Sequence, residues 1–101
     1  MTLNEFETII KGMRKNIPTN EELFDIFLKL CWRLKLNFET TYHVCRFVWF
    51  VSNNNDKESI VEGKKISKEV LDKIYKQMYN DPEYPFGINW GAGIVDVKGN
   101  I

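Results

Sequence analysis

Apolar residues recur along this chain at helical spacing. Leu3, Phe6, Ile10, Met13 and Ile17 fall three or four residues apart with Ile9 beside them, which places one apolar stripe on a helix. Glu7, Lys11 and Lys15 run down the opposite side, with Glu7 and Lys11 in i,i+4 register. Pro18 ends this element, because it disfavours helical geometry at the residue before it.

Thr19-Asn20-Glu21-Glu22 has the form of a capping box and predicts a second helix. Leu23, Ile26, Phe27, Leu30, Cys31 and Leu34 form its core stripe, and Phe24, Leu28 and Trp32 widen it. Asn37 can cap a third element over FETTYHVCRFVWFVS. There Phe38, Tyr42, Cys45 and Trp49 form one helical row and Thr41, Val44, Val48 and Val51 a second. Glu39, His43 and Arg46 share the only polar stripe, so the pattern predicts a helix buried on most sides. Its β-branched and aromatic content also suits a strand, but a period of two leaves apolar residues on both faces.

From Asn53 to Lys65 the periodicity dissolves into polar residues around Ile60 and Val61, with Gly63 as a breaker, which predicts a surface loop with at most one helical turn. Ser67 then caps a last helix with Val70, Leu71, Ile74, Tyr75 and Met78 inward. Glu69 with Lys73 and Asp72 with Lys76 are acid-first i,i+4 pairs. Pro82 and Pro85 stop it. The fold predicted is mainly α: a small bundle of about four helices over residues 1–81, followed by an extended, hairpin-like segment over 82–101, all in one domain.

Composition agrees with a folded domain. Hydrophobic residues make up 44% of the 101 positions and charged residues 28%, far from the signature of a disordered chain. Fourteen basic and fourteen acidic side chains cancel, which removes the overall positive field that draws many nucleic-acid binders to phosphate. Near-zero net charge also offers little resistance to self-association, so a homo-oligomer or a complex with another protein is expected. The opening MTLNEFETII carries glutamates where a leader would be basic, and FVWFV is far shorter than the roughly 20 residues of a membrane helix. A cytoplasmic protein without a membrane partner is the expectation.

Several chemistries are excluded by spacing. Gly87, Gly91 and Gly93 match neither phosphate-loop pattern. Cys31 and Cys45 lie in apolar helical stretches without a C-x-x-C motif, and with one histidine they do not make a zinc set. They are expected to be buried thiols. Neither cofactor nor metal is implied. The junction LKLNFET would turn two helices against each other, yet the following helix offers only His43 and Arg46 to base edges, so DNA reading is not expected.

Two residue sets remain. Glu39, His43 and Arg46, an acid, an imidazole and a cation on one helical face, can serve as a general-base cluster or as a structural ion-pair group. The C-terminal YPFGINWGAGIVDVKGNI joins glycines to aromatics and predicts a partner-binding element with Tyr84, Phe86, Trp90 and Ile94 as anchors, or else a cover for the core. The reading that follows is a non-enzymatic interaction module, an inhibitor or adaptor such as a phage or mobile element encodes. The alternatives are a nucleotide-type ligand binder, using Glu39, His43, Arg46, Lys73 and Lys76 with the C-terminal aromatics, or a small enzyme built on Glu39, His43 and Arg46.

Overall fold

A computed structural model describes residues 1–80 of the chain. Among them there are five helices and no strand: α1 Leu3–Arg14, α2 Asn20–Arg33, α3 Phe38–Ser52, α4 Asp56–Gly63 and α5 Lys68–Asn80. The mainly helical reading therefore stands, with one helix more than the sequence pattern predicts. The hairpin expected over 82–101 lies outside the described residues.

Short polar side chains start α2, α3 and α5 as the sequence predicts. Thr19 Oγ1 accepts from the Glu22 amide at 3.1 Å, Asn37 Oδ1 from the Thr40 amide at 2.8 Å, and Ser67 Oγ from the Val70 amide at 3.2 Å. The reciprocal capping box, however, belongs to α1, where Thr2 and Glu5 exchange both bonds; for α2 only the Thr19 half is seen. Glu7 and Lys11 pair at 3.4 Å, as do Glu69 and Lys73. Asp72 turns to the amino group of Met1 instead of forming the expected pair with Lys76.

Two reversals in direction set the layout. The chain leaves α2 through Lys35, whose φ of 56° lets the Leu36 amide reach the Cys31 carbonyl and the Lys35 amide reach that of Trp32. Asn54, with φ 58°, does the same after α3, where the Asn55 amide reaches the Phe50 carbonyl. The run of three asparagines thus has a backbone purpose, since Asn tolerates the left-handed region better than most residues. Lysine does not share that tolerance.

The core joins α1, α2 and α3 through three phenylalanines. Phe6 stacks on Phe47 with ring centroids 5.5 Å apart and meets Phe27 edge-on at 5.6 Å. Ile10, Met13, Leu23, Leu30, Val44, Val48 and Val51 complete it, and α5 closes it with Leu71, Ile74 and Met78. Both cysteines are buried and unbridged.

The segment predicted as a loop is corrected by α4. Its apolar pair Ile60 and Val61 stays exposed, and the buried residues are Ser59, Glu62 and Gly63. Hydropathy could not reveal an element whose inner face is polar. Gly63 is required by a close approach: an added Cβ would lie 2.5 Å from Leu3 Cδ2 and 2.9 Å from Phe47 Cε1.

Gly63→Ala is expected to destabilise the fold by about 1–3 kcal/mol through overpacking, and Leu3→Ala in the same chain should return part of that loss. A double-mutant cycle from urea unfolding measures it; strict additivity would mean that Gly63 is not held against Leu3. Lys35→Gly should raise stability by roughly 0.5–1 kcal/mol in the same assay, by relieving the left-handed strain.

Candidate functional site

The third helix is apolar around most of its circumference, and the other helices cover only part of it. Val44, Phe47, Val48 and Val51 enter the core. The row expected to be buried beside them does not follow: Phe38 is 86% exposed, Tyr42 and Trp49 are exposed as well, and only Cys45 is buried. On α2 the residues expected to widen the core behave similarly. Phe24 and Leu28 are half-buried, and Trp32 is 73% exposed.

These side chains face one another across a groove between α2 and α3, of about 580 Å³. Phe24, Leu28 and Trp32, spaced four residues apart, make the α2 wall, and Leu36 closes the end at the interhelical turn. The α3 wall is Phe38, Thr41, Tyr42, Cys45 and Arg46. Phe38 and Tyr42 stack at 6.3 Å, and Phe24 meets Trp49 edge-on at 5.9 Å, so the rings brace one another from the surface. Volume and lining fall in the range of sites that take an apolar ligand or partner side chains.

At one end of the α3 wall lies a polar cluster whose centre the sequence did not show. Glu62 of α4 is buried; its Oε2 is 2.8 Å from His43 Nδ1, and its Oε1 accepts from Arg46 Nε at 3.1 Å. Lys65 stands 4.0 Å from the same Oε1. Burial pushes the Glu62 carboxyl upward, but the bonds from His43 and Arg46 and the nearby Lys65 charge outweigh it and hold the group below its ordinary value of 4.5. The Arg46 guanidinium, held further in its charged form by Glu62, lies 5.2 Å from the centroid of the Tyr42 ring and 4.9 Å from that of Phe50.

Of the predicted set, His43 and Arg46 do come together, whereas Glu39 is peripheral, 4.0 Å from His43 Nε2 and mostly in solvent. Its place is taken by Glu62, from the segment read as a loop. Lys73 belongs to α5, which packs on α1 and α2 and is paired with Glu69; neither it nor Lys76 lines the groove. The thiols lie between α2 and α3, where Cys31 is hydrogen-bonded to Cys45; that bond and burial push the Cys31 thiol well above the ordinary range. Cys31 thus pairs with Cys45 and Thr41, while His43 pairs with Glu62. No cluster able to hold a metal ion occurs among the described residues, and none of their helices is long and apolar enough to cross a membrane. Tyr84, Phe86, Trp90 and Ile94 lie outside the described residues.

Comparison with known protein families, curated proteins and solved structures finds no match.

The Glu62 bridge should make stability depend on pH. Its folded pKa is depressed, so its contribution is present at neutral pH and is lost as pH falls from about 4.5 through the lower folded value. Glu62→Gln is expected to cost about 1–3 kcal/mol at pH 7, and the unfolding free energies of variant and parent should converge on acidification. A gap that stays constant down to pH 3 would show that the Glu62 charge does not carry the bridge.

Proposed function

We propose that the chain is a non-enzymatic protein-interaction module that docks through the aromatic groove between α2 and α3. The observation that carries this reading is the exposure of Trp32 and Phe38, two large rings on facing helices that the described core leaves uncovered. Contiguous aromatic surface of this kind is uncommon on a soluble chain without a partner, and aromatic anchors dominate interface energetics. Neutral net charge leaves association free of strong repulsion. Tyr84, Phe86, Trp90 and Ile94 are a second set of anchors under the same reading, on the strength of their sequence. An inhibitor or adaptor that occludes another protein, or one that assembles with its own copies, is the class of function intended.

The His43, Arg46 and Glu62 cluster plays a structural part here. Glu62 joins α4 to α3, and its carboxylate is already engaged by both neighbours.

The test is a comparison of the parent with Trp32→Ser,Phe38→Ser. The variant should keep its helical circular dichroism and melt within a few degrees of the parent, since both side chains are exposed. Association, read as solution mass by light scattering or as the Kd for a purified partner, should weaken at least tenfold, as expected when hot-spot aromatics are removed. Equal binding by both proteins, or unfolding of the variant, would refute the groove as the docking surface.

A further inference from the structure

We infer that the α2–α3 groove is also a site for a small apolar carboxylic acid, the hydrocarbon body lying between the aromatic walls and the carboxylate meeting Arg46. This shares the groove with the interaction reading and goes beyond it, naming a ligand class.

Charge and shape both lead there. Among the described residues, Arg46 is the one charged residue lining the groove. Its bond to Glu62 uses Nε, one of the five N–H donors of a guanidinium, and a further one goes to the Tyr42 side chain, which leaves donors for an anion. The local charges do not cancel against Glu62: Arg46 and Lys65 both face this single buried carboxylate, which also has the His43 ring at 2.8 Å. Glu39 stands at the opposite nitrogen of His43 and remains in solvent. Lys57 and Glu58, of opposite charge, line the neighbouring cleft with Arg46, which leaves Arg46 as the cation that the described residues present at the end of an otherwise uncharged groove. The rings of Tyr42 and Phe50 hold the guanidinium in place, so little ordering is needed when an anion arrives.

The remaining lining argues for a linear or aromatic hydrocarbon body in preference to a sugar or a nucleotide. Trp32, Thr41, Tyr42 and Cys45 are the only other groove residues with polar side-chain atoms among the described residues, too few for the many hydroxyls of such ligands. A volume of about 580 Å³ accommodates a medium-length chain within the roughly 300–1,000 Å³ usual for small-ligand sites.

Calorimetric titration of the full chain with octanoate and with octanamide, both kept below aggregation, tests the inference. Octanoate is expected to bind one to one and at least tenfold more tightly than octanamide, as a charge-assisted bond to Arg46 requires. Lengthening the acid from hexanoate to octanoate should tighten binding by up to about fourfold per methylene. Arg46→Gln should bring the two ligands within twofold, Arg46→Lys should keep a preference for the acid, and Thr41→Phe, which fills the groove, should remove binding. Equal affinity for acid and amide in the parent would overturn the assignment of the anion to Arg46, while leaving the groove as an apolar docking surface. Absence of octanoate binding would overturn the ligand site altogether, and the partner-binding comparison with the Trp32 and Phe38 variant would stand apart from that result.

Discussion

The structure turns on a mismatch between α3 and its surroundings. Of the fifteen residues of this helix, only the side carrying Val44, Phe47, Val48 and Val51 finds a core, formed with α1, α2 and a closing α5. The opposite side keeps Phe38, Tyr42 and Trp49, and α2 brings Phe24 and Trp32 toward them. A few short helices can bury one face of a helix with two apolar faces, and the remaining one becomes a surface with the chemistry of an interior. The groove is thus the complement of the core, built from two of the helices that form it, α2 and α3.

What keeps α3 in that orientation is a polar and steric lock from α4. Glu62 reaches across to His43 and Arg46, and Gly63 lets the backbone of α4 approach Phe47 and Leu3 more closely than any larger residue would. Buried carboxylates are stable only when their bonds are made, so the pairing also fixes the position of Arg46. A structural bridge and the charged end of the groove therefore share one side chain.

Much of this was legible in the sequence, and the exceptions have definite physical causes. Helix starts at Thr19, Asn37 and Ser67 follow from side chains that cap amides, and the inner stripes of α1 and α5 follow from simple periodicity. The helix α4 was not legible, because its buried residues are Ser59, Glu62 and Gly63 while its apolar residues Ile60 and Val61 face outward. Periodicity also correctly found two apolar rows on α3, but a row of Phe, Tyr and Trp reads the same whether a neighbouring helix covers it or not. The chemistry of His43 and Arg46 was visible as a cluster, yet its acid was assigned to Glu39 because local spacing cannot reveal a partner from another helix. The only signal for Glu62 was its place beside a glycine, as one of three acids with Asp56 and Glu58 in a segment without pattern.

Solvent access to individual rings decides the matter most directly. Paramagnetic relaxation of aromatic ring protons by a soluble, neutral gadolinium chelate can be measured on the full chain, at a dilution where its mass is that of one molecule. The account predicts strong relaxation of the Trp32 and Phe38 rings beside complete protection of Phe6, Phe27 and Phe47, which are buried together. Trp32 and Phe38 rings as protected as Phe47 would contradict it, since those residues would then belong to the core and the groove would not be an open surface.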